Sequence, residues 1–332
     1  MWHVLVDTAD VRARVPAEPT KGVELVWSKP TLPSLLGQAS RLCRDTNFDI
    51  VHSHWITSFG IAGSASSLLS GGKHVAHLHG DDIRRARLTP QRHLRTRMGA
   101  CVCDLFLYST PDLHDLLFLG KEARYLPNPV DTSVFKEVDG ADSLRESLLR
   151  GRDNLVLAPG RFDLATKNQD VLVEALSSPD FENVQTVFMS ATGGGDYERL
   201  VRLVRQSGID HRVSFIVGVG NREMPAYYSC ADVVAVGFRL GVYGCAVTEA
   251  MACARPVICH FEFSRYKRFI HERPPLLDGR DAGSVSGWLS QLIADPSLRR
   301  RIGKESQSWV RREHSLGPVA RRLANIYGDV LG

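Results

Sequence analysis

Short apolar runs ending in small or polar residues recur along this chain, and each is followed by a segment of helix length. That alternation constrains the fold more than any other feature. "WHVLVD" (2–7), "VELVW" (23–27), "FDIVHSH" (48–54), "KHVAHLHG" (73–80) and "DLFLYS" (104–109) read as strands. Between them, "LPSLLGQASRLCRDT" sets Leu35, Leu36, Ala39, Leu42 and Cys43 at helical spacing, and "IAGSASSLLS" is a helix of small residues. Short apolar strands separated by helices are the pattern of parallel sheets covered on both faces. The alternation breaks at "YLPNPVDTSVFKEVDG" (125–140), where two prolines, Asn128 and Asp131 make a turn-rich connection. A second series begins at "NLVLAPGR" (154–161) and continues through "VQTVFMS", "RVSFIVG", "DVVAVG" and "PVIC" to a helical tail. The expected organisation is two α/β domains, residues 1–140 and 141–312, and a closing helix over 313–332. Ligands of such sheets bind at the carboxyl ends of strands, so a two-domain cleft is the expected site.

Composition excludes several classes. The 332 residues are 43% hydrophobic and 23% charged, as in a soluble globular protein. No apolar run approaches the roughly 20 residues that span a bilayer, and "MWHVLVDTADVRARVP" does not read as a signal peptide. Seven scattered cysteines without a CxxC spacing point to reduced thiols in a cytoplasmic protein. Of these, "CVC" (101–103) reads as buried strand thiols. A net charge of +4 without a basic stripe does not argue for nucleic acid. Two arginine-rich stretches, 84–97 and 299–312, suit peripheral contact with an anionic membrane.

Two segments carry candidate chemistry. In "APGRFDLATKNQDVLVEAL" (158–176), Arg161 and Lys167 flank a loop between a strand end and a helix. Two cations beside a helix start suit a diphosphate, although a solvated loop carries the same residues. In "GVYGCAVTEAMA" (241–252), Gly241 and Gly244 let backbone approach a ligand, and the helix starting there turns free N–H groups toward an anion. Glu249 lies inside that helix, either to accept hydrogen bonds from a vicinal diol such as ribose or as a surface glutamate. His52, His54, His74, His77 and His79 gather near two strand ends. Residues i and i+2 of a strand share a face, so His52/His54 and His77/His79 are candidate pairs. Zinc is conceivable, but no Cys or Glu sits at helpful spacing. "SATGGGDYERL" (190–200) lacks the Lys-Ser/Thr of a phosphate-binding loop.

"DIVHSHW", "HVAHLHG", "LPNPVDTSVF", "GRFDLATK", "YYSCADVVAV", "TEAMACARPVI" and "EHSLGPVARRLANIY" follow one another along the chain. In that order they resemble the retaining glycosyltransferases of family 4, over about residues 45–260 plus the closing helices. The resemblance implies a GT-B fold: two facing Rossmann-like doubly wound parallel-sheet domains, with a C-terminal helix crossing back to the first. It implies transfer of a sugar, with retention, from a nucleotide-sugar donor to a glycan, lipid-linked or small-molecule acceptor. By the same resemblance Arg161, Lys167 and Gly244 hold the donor diphosphate and Glu249 the ribose. Gly218 lies near the nucleobase, and His79 is the catalytic residue across the cleft. No metal or other cofactor is expected, because the two cations and the helix end neutralise the leaving diphosphate. A cytoplasmic location, peripheral at the inner membrane face, follows.

The chain departs from the family pattern in three places. The first Glu of the family's paired signature falls at residue 241, which is Gly, and the preceding Pro-Ser is Gly237-Phe238. "CHFEFSRYKRF" (259–269) replaces a small, glycine-containing segment. The family's opening strand, glycine loop and first helix have no counterpart before "WHVLVD", which suggests a truncated start. A second reading follows from these departures: a catalytically impaired nucleotide-sugar-binding or scaffold protein on the same fold.

Overall fold

The computed structural model describes residues 2–6, 24–29, 31–84, 89–116 and 120–332. The chain divides into two compact units, Met1–Pro127 with Ala320–Gly332, and Asn128–Val319.

In the first unit, β1 (Trp2–Val6) pairs in parallel with β2 (Glu24–Ser28). A second sheet holds β3 (Ile50–His54), β4 (Lys73–Leu78), β5 (Leu105–Tyr108) and β6 (Ala123–Tyr125) in that order, all parallel. Its inner strands are covered on both faces: Val75, Ala76, Leu78 and Leu105 through Tyr108 are all buried. The helix Ser58–Ser70 needs its small residues to lie this close to the sheet. A Cβ on Gly63 would come within 2.5 Å of the His74 ring. The final helix, Leu316–Leu331, contributes its residues from Ala320 onward to this unit. Arg124 on β6 pairs with Asp329 there at 2.5 Å.

The "CVC" expectation is corrected. The helix Pro90–Ala100 runs up to residue 100, so the chain must turn before β5 begins at Leu105. Cys101 lies in that turn and is exposed, while Cys103 is buried.

The second unit has six parallel strands: β7 (Asn154–Pro159), β8 (Val184–Ser190), β9 (Val213–Val217), β10 (Val233–Ala235), β11 (Val257–Cys259) and β12 (Leu277–Asp278). Their order is β12-β11-β10-β7-β8-β9. The chain runs outward from β7 to β9, then returns to place β10 on the other side of β7. The carboxyl ends of β7 and β10 therefore flank a topological switch point, where open parallel sheets form a crevice. Phe162, Leu172, Leu176, Phe181, Phe188 and Leu289 fill the core of this unit.

One backbone position is strained. Ala254 has φ 55°, in the left-handed region that favours glycine. It stays there because Gly303 of the helix Pro296–Glu313 packs on its carbonyl; a Cβ on Gly303 would lie 2.1 Å from that oxygen. A left-handed conformation costs an L-residue roughly 1–2 kcal/mol, part of which glycine returns through a more flexible unfolded chain. Ala254→Gly is therefore expected to stabilise the protein by about 0.5–1 kcal/mol, read as a higher denaturation midpoint. A lower midpoint would mean that the alanine methyl contributes more than the strain costs.

Among the described residues no helix is long and apolar enough to cross a membrane. In the second arginine-rich stretch, Arg299 is tied to Asp232 and to the Leu292 carbonyl, and Arg312 to Glu272.

Candidate functional site

Two loops at the switch point carry the predicted residues of the second unit. The loop after β7 is bound to itself. The Asp163 carboxylate accepts from the Thr166 N–H at 3.0 Å and pairs with Arg161 at 3.1 Å. Burial pushes the Asp163 carboxyl up, but the Thr166 hydrogen bonds and Arg161 outweigh it and hold it below the usual carboxylate range. Gln169 donates to the Arg161 carbonyl at 2.8 Å. Arg161 and Lys167 are thus set on one ordered turn rather than on a floppy loop.

The loop after β10 meets this turn directly: the Phe238 N–H donates to the Lys167 carbonyl at 3.1 Å. It leads into the helix Cys245–Ala252, with Gly244 as its N-cap. Space in front of Gly244 is open, since a Cβ there would meet nothing within 4 Å. Lys167 lies close enough to the helix start to pull the Cys245 thiol downward, against the larger upward effects of burial and Glu249. The cation and the positive helix end therefore act on one small volume.

Glu249 sits one turn further in. Its carboxylate accepts from the Tyr228 hydroxyl at 3.0 Å, and that ring is fully buried. Burial and the Glu249 charge push the Tyr228 phenol well above its ordinary range, so it remains a donor. Tyr228 is a residue that sequence reasoning missed; it fixes which way Glu249 points. Gly218 follows β9 with its N–H on the Ser190 carbonyl at 3.0 Å. It lies two strands from β7, roughly 10 Å away at the usual strand spacing. The structure thus joins Arg161, Lys167, Gly244 and Glu249 at one switch point, with Gly218 on the same sheet edge.

A carboxylate lies against the backbone at Gly241. Gly241 has φ +67°, and a Cβ there would lie 2.9 Å from the Glu262 carboxyl carbon and from its Oε1. The Glu262 N–H also donates to the Gly241 carbonyl at 3.0 Å. A carboxylate therefore occupies the space that a side chain at 241 would take. It is held by Arg265 at 2.8 Å and by His260 at 3.3 Å. The Arg265 hydrogen bond, above all, keeps Glu262 below the usual carboxylate range and hence ionised. The same unusual segment supports the loop from below. Tyr266 is fully buried, stacks on Tyr243 at 4.8 Å and accepts from the Tyr243 N–H at 3.2 Å. The available sequence signal was an acid just after "PVIC", read only as a departure.

In the first unit, His79 follows β4. Its N–H and that of Gly80 reach the buried Asp82 carboxylate at 3.3 and 2.9 Å, so Asp82 organises the turn. The β3–β4 register sets His54 beside His77. The two expected histidine pairs merge into one stack: His54 hydrogen-bonds His79 at 2.8 Å, and the His77 and His79 rings are 4.3 Å apart. His74 points to the opposite face, where it meets Ser53 at 2.9 Å and Ser64 at 3.3 Å.

Comparison with known proteins adds the family. The model for "Glycosyl transferases group 1" matches residues 141–309, and that for "Glycosyltransferase Family 4" matches residues 4–134. The chain is 26% identical over 308 residues to a GDP-mannose-dependent α-(1-6)-phosphatidylinositol monomannoside mannosyltransferase of Mycolicibacterium smegmatis, covering 89% of this chain and 80% of the relative. It is 27% identical over 290 residues to a D-inositol 3-phosphate glycosyltransferase of Xylanimonas cellulosilytica, covering 80% and 68%. Among solved structures, the sucrose-phosphate synthase of Thermosynechococcus elongatus superposes with a TM-score of 0.76 at 18% identity, covering 94% of this chain and 84% of that one. HepE of Anabaena in complex with UDP-glucose gives a TM-score of 0.74 at 18% identity, covering 92% and 86%. With these neighbours, the two parallel-sheet units are those of the GT-B fold.

Proposed function

Because the chain belongs to the group 1 glycosyl transferases, we propose that it transfers a hexose from a nucleoside-diphosphate sugar to an acceptor hydroxyl, with retention at the anomeric carbon. The observation that carries this reading is the joining of Lys167 and Arg161 to the helix start at Gly244 across adjoining loops. In the reaction the bond from the anomeric carbon to the diphosphate oxygen breaks. The acceptor oxygen bonds to that carbon, and its proton passes to the leaving diphosphate. Negative charge grows on the diphosphate as the bond breaks, so fixed cations and aimed N–H groups stabilise the transition state more than the ground state. Glu249, oriented by Tyr228, receives the ribose hydroxyls, and the base lies toward Gly218. His79 belongs to the acceptor side of the reaction. No resident metal or cofactor is assigned to it.

Glu262 supplies the acid to the donor sugar that the sequence lacks at 241. Phosphatidylinositol monomannoside and D-inositol 3-phosphate, which the names of two relatives carry, are the acceptors to try first. Peripheral contact with an anionic membrane belongs to the same reading. The helix Pro90–Ala100 exposes Leu94 and Met98 one turn apart among Arg92, Arg95 and Arg97.

The test is release of UDP or GDP from a panel of nucleotide sugars, with and without these acceptors. Turnover is expected, and Glu262→Gln should lower kcat/KM by about 10- to 150-fold, the worth of one charged hydrogen bond. Its affinity for the free nucleoside diphosphate should be unchanged. Nucleotide binding without turnover of any donor would favour the scaffold reading. No nucleotide binding at all would sink both.

A further inference from the structure

We propose that His52, His54 and His77 form a binding site for a transition-metal dication that favours imidazole ligands, with Zn²⁺ as the probe. The site lies where β3 and β4 run side by side, and it depends on no assignment made above for the donor loops. One ring nitrogen from each of the three residues lies within 4.8 Å of the other two. The ring centroids are 4.6 Å apart for His52–His54, 5.4 Å for His54–His77 and 5.7 Å for His52–His77, with planes 18°, 35° and 24° from parallel, so the rings turn about their Cβ–Cγ bonds to bring three lone pairs onto one ion.

Two further observations point to a ligand. His77 is 3% exposed, and neither of its ring nitrogens has a hydrogen-bond partner. The Leu126 backbone approaches His77, but without the geometry of a hydrogen bond. His52 Nε2 is likewise buried and unpartnered. Buried polar atoms of this kind are uncommon in folded proteins, and an ion is one of the few explanations for them. Second, His52 Nδ1 lies 2.6 Å from the Tyr327 hydroxyl on the final helix. When Nδ1–H donates to that oxygen, Nε2 is left as the metal donor, and metal-bound histidines are commonly oriented by such an outer hydrogen bond. Three neutral histidines with a fourth position for water make a recognised zinc set. No part in sugar transfer is assigned to the cation.

The experiment uses the full chain without a histidine tag, stripped by chelator and dialysed. Calorimetric titration with Zn²⁺ should show one equivalent bound at micromolar affinity or tighter, and Co²⁺ should show the visible absorption of a tetrahedral site. His77→Ala removes a buried ring, so it tests folding as much as binding. His54→Ala alters an exposed one and should weaken Zn²⁺ by at least about 10- to 100-fold with an unchanged melting curve. Binding no tighter than millimolar overturns the proposal. Equally, affinity unchanged in His54→Ala would place the cation elsewhere and overturn it.

Discussion

Lys167→Ala is expected to weaken binding of UDP or GDP by about 10- to 150-fold, the equivalent of a charged hydrogen bond worth roughly 1.5–3 kcal/mol. Affinity for the corresponding nucleoside should hardly change. The lysine rides on a turn whose backbone is pinned at both ends, with its N–H on the Asp163 carbonyl at 2.8 Å and its own carbonyl accepting from Phe238 at 3.1 Å. Truncating the side chain therefore leaves the loops in place and removes only the charge beside the helix start. Arg161→Ala should cost less, because its guanidinium is about half exposed and already paired with Asp163. Calorimetry with nucleoside and diphosphate in parallel reads both effects. Equal losses for the two ligands would mean that Lys167 does not touch phosphate.

Gly241→Glu is the second large effect, and its expected direction is downward. Restoring the acid of the family pattern looks like a gain from sequence alone. In the structure the new side chain enters a left-handed backbone at φ +67° and points into the Glu262 carboxylate 2.9 Å away. The conformation alone costs roughly 1–2 kcal/mol, and two carboxylates crowded together add like-charge repulsion. We expect a total loss of about 2–3 kcal/mol in stability, with turnover falling as Glu262 is displaced. Thermal denaturation and kcat/KM for the best donor check it. A rise in turnover at unchanged stability would show that the acid position is truly empty and that Glu262 does not serve the sugar.

The loops after β7 and β10 were legible because their signals are local. A strand ending in glycine, two cations and a glycine before an alanine-rich helix are each read within a dozen residues, and their order along the chain carries the family. Glu262 was illegible for the opposite reason. It lies 21 positions from Gly241 in the chain, and the two meet because β10 and β11 are neighbours in the sheet, so that the loops leaving them run side by side. Tyr228 reaches Glu249 in the same way, from a separate helix. The "CVC" segment misled because two cysteines around a valine imitate strand alternation, whereas the helix before it ends too late for a strand to start there.

The histidines mark the same division. By itself the sequence determined that His52 and His54 share a face and that His77 and His79 share one, because side-chain alternation is a property of any extended backbone. It also determined two parallel-sheet units, since apolar periodicity reports which faces must leave water. Which faces would meet was decided only by the tertiary structure. The β3–β4 register set His54 against His77 and turned His74 away, and the β10–β11 pairing set Glu262 against Gly241. Hydrogen-bond ladders between strands fix such distances to within a few ångström, and no spacing along a single strand encodes its partner.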